Sequence, residues 1–143
     1  MAVVGSTIAI DLHLTEDADL DSVRGATRDN ERVHPTVAER VRHTVRQQAD
    51  AALNGADLGS YTLSVHVAVE QDRVPGAPRE RISVSMDVEG DDAVVAAVDD
   101  AITPPDRARM ADALEEEMLS YLQEYDLASV VEVIVSVTPI QFR

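Results

Sequence analysis

The sequence predicts an α+β sandwich, with two main helices covering one face of a four-stranded antiparallel sheet in a single domain spanning residues 1–143. Three observations predict it. Four segments alternate apolar and polar residues with a period of two, as strands with one buried face do. Two longer segments repeat their apolar residues every three to four positions, as amphipathic helices do. These segments follow one another as strand, helix, strand, strand, helix, strand.

The closing strand is the clearest. Residues 128–138, ASVVEVIVSVT, form the most apolar run in the chain. Alternation puts Val131, Val133, Val135 and Val137 on one face and Val130, Glu132, Ile134, Ser136 and Thr138 on the other. A solvated outer face should not carry Val130 and Ile134, so that face calls for cover by a neighbouring subunit or by part of this chain.

The first strand spans residues 7–14, with Ile8, Ile10, Leu12 and Leu14 on one face and Thr7, Ala9, Asp11 and His13 on the other. Residues 15–33 are polar and irregular, with room for a short helix between Leu20 and Arg32. In such a helix Arg24, Arg28 and Arg32 share one stripe at four-residue spacing, read here as a solvated face balancing local carboxylates. His34-Pro35 opens the first main helix, because proline suits a first turn. Its buried stripe is Val37, Val41, Val45, Ala49 and Ala52, and Asn54-Gly55 supplies a left-handed stop.

The second strand, residues 61–70, turns Tyr61, Leu63, Val65, Val67 and Val69 inward. Residues 71–79 contain Pro75-Gly76 and Pro78 and form a turn longer than a tight hairpin. The third strand, residues 80–89, turns Ile82, Val84, Met86 and Val88 inward. Residues 91–102 fit either a short helix, by their acidic start and repeated alanine, or a strand, by Val94, Val95 and Val98. Thr103-Pro104-Pro105-Asp106 is a sharp helix start, with Thr103 as N-cap and Asp106 close to a capping box. That second main helix runs to about Tyr125, burying Met110, Ala111, Leu114, Met118, Tyr121, Leu122 and Tyr125. Asp112, Glu115, Glu116, Glu117 and Glu124 line its other face. Pro139 ends pairing and leaves Ile140, Gln141, Phe142 and Arg143 as a short tail. The element order is that of the ferredoxin-like sandwich, βαββαβ, with strand order 4-1-3-2.

Composition bears on habitat and partners. The 12 basic residues, all arginine, face 27 acidic ones, for a net charge of −15. There is no lysine, cysteine or tryptophan, and Phe142 is the only phenylalanine. A small domain so charged repels itself in dilute buffer, whereas at about 1 M salt the Debye length falls to about 3 Å. An acidic protein from a GC-rich mesophile also replaces lysine by arginine. The charge nevertheless lies far beyond the magnitude of about 2–8 usual for small domains, which favours an organism that keeps molar salt inside the cell. Nucleic acid is not an expected partner, since binding phosphates needs a basic stripe. No apolar run reaches the roughly 18 residues of a membrane helix, and the N-terminus lacks the basic region of a signal peptide, so no membrane is expected. The expected location is the cytoplasm, or a virion if the protein is viral.

Catalytic signatures are sparse. Cysteine is absent, and the chain has neither a G-x-S-x-G elbow nor a glycine-rich phosphate loop. Asp17, Asp19 and Asp21 imitate the start of a calcium loop, but Ser22 stands at the required glycine and Arg28 at the bidentate glutamate. One constellation remains. His13, Asp87 and Glu132 are expected at one sheet edge on the polar face, where an imidazole and two carboxylates suit a divalent metal or acid–base work. Carboxylates are so abundant that coincidence accounts for the grouping, and no cofactor or metal is assigned. His66 lies toward the far end of its strand, and His34 and His43 have no partner pattern.

The expectation is therefore a non-enzymatic assembly subunit, meeting copies of itself or of a larger complex through Val130, Glu132, Ile134, Ile140 and Phe142. In overall organisation, though in no sequence motif, the chain resembles small neck and tail-completion proteins of tailed viruses, here of a haloarchaeal host. That likeness implies a structural role in a virion. A dimeric module sensing a small metabolite is the alternative, followed by a metal-dependent enzyme using His13, Asp87 and Glu132. Because the charge must be screened to keep the chain compact, its melting temperature should rise steadily from dilute buffer to molar KCl; melts that stay level across that range would remove the halophile assignment.

Overall fold

The computed structural model describes residues 2–15, 19–70 and 79–143. In chain order its elements begin with β1 (Ala2–Leu14), α1 (Leu20–Thr27), β2 (Arg28–Asp29), β3 (Arg32–Val33), α2 (Pro35–Gly55) and β4 (Thr62–Val69). They continue with β5 (Arg79–Gly90), α3 (Asp92–Ala101), α4 (Pro104–Gln123), β6 (Val131–Val137) and β7 (Gln141–Phe142). Asp17 of the calcium-like run and most of the turn at 71–79 lie outside the described residues.

The main sheet has the order β4-β5-β1-β6, with every pair antiparallel and β7 joining β1 beyond the end of β6. This is the ferredoxin-like α+β sandwich. Val4, Ile8, Ile10 and Leu12 of β1, Leu63, Val65 and Val67 of β4, and Ile82, Val84, Met86 and Val88 of β5 are buried toward the helices. Val131 and Val133 of β6 join them, whereas Val135 and Val137, farther along the strand, are only partly buried. β1 is longer at its start than its alternation from Thr7 announces, because Gly5 and Ser6 interrupt the apolar pattern without interrupting pairing to β5.

The two main helices pack on each other and on the sheet. His34 caps α2, its Nδ1 accepting from the Thr36 N–H at 3.2 Å, and Val37, Val41, Val45, Ala49 and Leu53 are buried. The helix runs on through Gly55, and the left-handed residues come later, at Asp57 (φ 52°) and Gly59 (φ 87°), not at Asn54-Gly55. α4 begins as expected. Thr103 Oγ1 accepts from the Asp106 N–H, and the Asp106 carboxylate accepts from the Thr103 N–H at 2.9 Å and from the Thr103 hydroxyl at 2.8 Å, two bonds that hold the Asp106 carboxyl below the usual carboxylate range. The helix ends at Gln123, so Tyr125 falls outside it and is 47% exposed instead of completing the buried stripe. Residues 91–102 resolve as a helix because the Asp91 carboxylate caps it, accepting from the Val94 N–H at 2.9 Å.

α1 and α3 also pack on the helix side of the sheet, through Val23 and Ala26 of the first and Val95 and Val98 of the second. The arginine stripe of α1 is thereby corrected. Glu80 opens β5 at an inward-facing position, and its carboxylate is fully buried. Arg28 binds it through Nε at 2.6 Å and through Nη2, Arg24 Nε lies 3.9 Å away, and the Thr27 hydroxyl is at 3.4 Å. Only Arg32 of the three is exposed. The physical reason is register: the inward alternation of Ile82, Val84 and Met86, extended back by one step, points Glu80 into the layer where α1 sits. Tyr121 of α4 adds a second tie, donating its hydroxyl to the Ala26 carbonyl. Removing one partner of a buried ion pair strands the other, so Glu80→Ala should lower unfolding free energy by about 3 kcal/mol or more in urea titrations. Wild-type stability in that variant would show that Arg28 finds solvent instead.

Candidate functional site

With all four helices on one side, the other face of the sheet is open among the described residues. The ladder registers place its side chains in rows across the strands. Arg79, His13 and Glu132 form one row, then Arg81, Asp11 and Ile134, then Ala68, Ser83, Ala9 and Ser136 across all four strands. His66, Ser85 and Thr7 come next, followed by Ser64, Asp87, Gly5 and Gln141. The middle of this face is a band of small residues with little relief.

Its charges are closer to balance than those of the chain as a whole. Counting Glu70 just beyond β4, the outward positions hold five carboxylates, Asp11, Glu70, Asp87, Glu89 and Glu132, against three guanidiniums, Arg79, Arg81 and Arg143, although the chain as a whole carries −15. Two of the guanidiniums lie against acids. Arg81 Nε meets Asp11 at 2.6 Å and its Nη1 meets Glu70 at 3.5 Å; the hydrogen bond to Asp11 raises the Arg81 pKa, against the opposing effect of burial. Arg143 Nε meets Asp87 at 2.8 Å, and the Ser85 hydroxyl lies 3.1 Å from the same carboxylate group.

The proposed triad does not assemble. His13 and Glu132 are direct cross-strand partners, but Asp87 stands opposite Gly5, eight residues along β1 from His13. At about 3.3 Å per residue that is roughly 26 Å. The reason is direction: β1 and β5 are antiparallel, so the end of the third long strand lies beside the start of the first. Among the described residues no group of three or more histidines, aspartates and glutamates could hold a metal ion.

The five expected interface residues divide between the two sides of the sheet. Glu132 and Ile134 face outward, and Ile134 is 45% exposed. Val130 precedes β6 instead of extending it; it is partly buried against the core, and its carbonyl accepts from the Thr15 N–H. Ile140 is also partly buried against the core. Phe142 is 79% exposed but stands opposite Val4, a helix-side residue, so it does not join Ile134 in one patch. The cause is one extra residue. β6 pairs Val137 with Ile8 and β7 pairs Gln141 with Gly5, so the closing chain spends four residues where β1 spends three. A bulge at Pro139 absorbs the difference and reverses the alternation, sending Ile140 and Phe142 to the helix side and Gln141 and Arg143 to the outer face.

Ile140 and Phe142 then line a groove of about 280 Å3 with Val4, Val95, Ala96, Asp99 and Gln141. A tail free of the sheet was the expectation. In the structure the Arg143 N–H donates to the Val3 carbonyl at 2.9 Å and the Arg143–Asp87 pair pins the strand. No signal in the sequence marks this return, because a two-residue strand after proline has no period to read.

No family model and no curated protein matches the chain. Among solved structures, it is similar to an amidase of the hydantoinase/carbamoylase family from Burkholderia multivorans, at 15% identity and a TM-score of 0.30. That alignment covers 99% of this chain, which spans only 28% of the amidase chain. A dimeric ferredoxin-like protein of unknown function from Thermobifida fusca aligns at 12% identity and a TM-score of 0.24, over 94% of this chain and 91% of that one. Likenesses so slight bear on neither activity nor partners.

Gly5 allows the C-terminal latch to close. A Cβ there would meet the Met86 carbonyl oxygen at 2.3 Å and Asp87 Oδ1 at 2.5 Å. Gly5→Ala should therefore cost about 1–3 kcal/mol and speed hydrogen exchange of the Arg143 amide well beyond that of the β1–β5 amides. Unchanged exchange at Arg143 would separate the latch from Gly5.

Proposed function

We propose that this chain is a non-enzymatic assembly subunit of a halophile that uses the open side of its sheet to meet further copies of itself. The observation that carries this reading is the contrast between that face and the rest of the molecule. A chain of −15 resists self-association over most of its surface, whereas on the outer sheet face five carboxylates stand with three guanidiniums, two of which, Arg81 and Arg143, are paired with Asp11, Glu70 and Asp87. Small side chains across its middle let a second surface approach closely. Four strands about 4.8 Å apart and about ten residues long at 3.3 Å each offer roughly 600 Å2 in projection, near the 800 Å2 or so per partner of a standard interface.

A structural role in a virion neck or tail is the specific form this proposal takes, resting on size and organisation. One observation favours a second reading, a sensor of a small metabolite. A cavity of about 390 Å3 lies between the β2–β3 hairpin and β4, lined by Val33, Ala38, His66, Val67 and Val69 among others.

Sedimentation in molar KCl tests the assembly reading. The wild-type protein should run as a dimer or larger, and Ala9→Arg, in the centre of the small-residue band, should shift it toward a smaller species. The variant's melting should change little, since the site is on an open face. A wild-type monomer at tens of micromolar would remove the proposal.

A further inference from the structure

We infer that two copies of the chain join edge to edge, β6 against β6 about a two-fold axis at Ile134, which makes one continuous eight-stranded sheet. The inference rests on the assembly reading and names the contact that begins the assembly.

The two long edges of the sheet are treated differently. Just beyond β4, Glu70 donates its N–H to the Arg81 carbonyl of β5, so the even-numbered residues of β4 bond inward and the odd-numbered ones present their backbone to the free edge. Two of those free carbonyls are occupied by arginines from α2. Arg46 Nη1 donates to the Leu63 carbonyl at 2.9 Å, and Arg42 Nε donates to the Val65 carbonyl at 3.4 Å. Guanidiniums held along an edge are a recognised block to further pairing.

At β6, Thr15 N–H donates to the Val130 carbonyl and Thr138 N–H to the Thr7 carbonyl. The even-numbered residues here again bond inward, so Val131, Val133, Val135 and Val137 present N–H and C=O groups to the free edge. No arginine lies on this strand, and no side chain among the described residues is seen bonded to those carbonyls. Beta-branched, proline-free and seven residues long, this edge is suited to receive a strand.

The sequence of the strand selects the occupant. VEVIVSV reads nearly the same from either end about Ile134. In antiparallel self-pairing centred there, Val133 faces the partner's Val135, and Val131 faces the partner's Val137. These are the positions whose backbone groups point outward, so they form the hydrogen-bonded pairs. Ile134 faces the partner's Ile134, and Glu132 faces the partner's Ser136, all on the outer face. Every backbone group on the edge finds a partner, and no two carboxylates are opposed. A register centred on Glu132 instead sets the two carboxylates against each other and pairs fewer residues.

Burial agrees with this register. Val135 and Val137 are only partly covered by the chain's own helices, and Ile134 is 45% exposed. α4, with its acidic outer surface, lies over β6 in each copy, so the two α4 helices flank the axis and the contact needs salt to screen them.

The protein contains no cysteine, which makes disulfide trapping specific. In the proposed register the two copies of residue 134 form a non-hydrogen-bonded pair with Cα atoms about 4.5 Å apart, within disulfide range. The two copies of residue 132 lie four residues apart along the strands, about 13 Å. In molar KCl with a mild oxidant, Ile134→Cys should convert to a covalent dimer on a non-reducing gel, and Glu132→Cys should stay monomeric. The double variant Glu132→Cys with Ser136→Cys should again give the dimer. If sedimentation shows an oligomer but Ile134→Cys stays monomeric, the edge contact is overturned while the assembly reading stands. Glu132→Cys cross-linking as readily as Ile134→Cys would overturn the register. A wild-type monomer in molar KCl would overturn both readings.

Discussion

β1 lies inside the sheet on both of its backbone edges, and each N–H and C=O along its thirteen residues must find a partner there. A backbone group left unpaired away from water costs about as much as a lost hydrogen bond, so the neighbours of β1 are held to fixed registers. β5 pairs with it from Ala2 to His13, β6 from Ile8 to Leu14, and β7 at Val4 and Gly5. The return of the C-terminal residues follows from this requirement: without β7, the start of β1 would expose one edge. Gly5 is the local concession, since only a residue without a Cβ leaves room for Asp87 and Arg143 to meet above it.

The same registers distribute the charge. Acidic residues outnumber basic ones by 27 to 12, so each arginine has a choice of partners. Arg28 and Arg24 go to the single carboxylate that β5 carries inward, Glu80, and bind α1 to the sheet. Arg40 bridges Glu117 and Glu124 of the α4 region, with its guanidinium 5.4 Å from the centre of the Tyr121 ring, and so ties α2 to α4. Arg81 and Arg143 pair with Asp11, Glu70 and Asp87 on the open face. What remains uncompensated lies mainly on the helix side, where Asp112, Glu115 and Glu116 of α4 are exposed to solvent.

An α+β sandwich with its helices on one side leaves a sheet face and two edges to be managed. Here one edge is closed by side chains of α2, the open face is flat and partly ion-paired, and the other edge meets no side chain among the described residues and is self-complementary in sequence. These features draw the assembly reading together at one end of the sheet, around Ile134, where open face and open edge meet.

Pattern alone determined the main elements of this protein. Strict alternation located the four long strands, the three-to-four spacing located α2 and α4, and the Thr103–Asp106 cap located the start of α4 to the residue. Each of these rests on interactions within a few residues, which a sequence displays directly. Ile134 too could be assigned to the outer face, because its parity within β6 is local. Tertiary structure decided the rest. His13 and Glu132 meet while Asp87 is far away, because the direction of pairing sets which strand ends coincide. Phe142 leaves the side of Ile134 because one extra residue at Pro139 reverses the alternation, and no periodicity extends across a bulge. Arg24 and Arg28 turn to Glu80 because a residue more than fifty positions away is carried to them by β5. In each case the deciding quantity is a register between distant segments, set by how the whole sheet satisfies its hydrogen bonds and absent from any single stretch of chain.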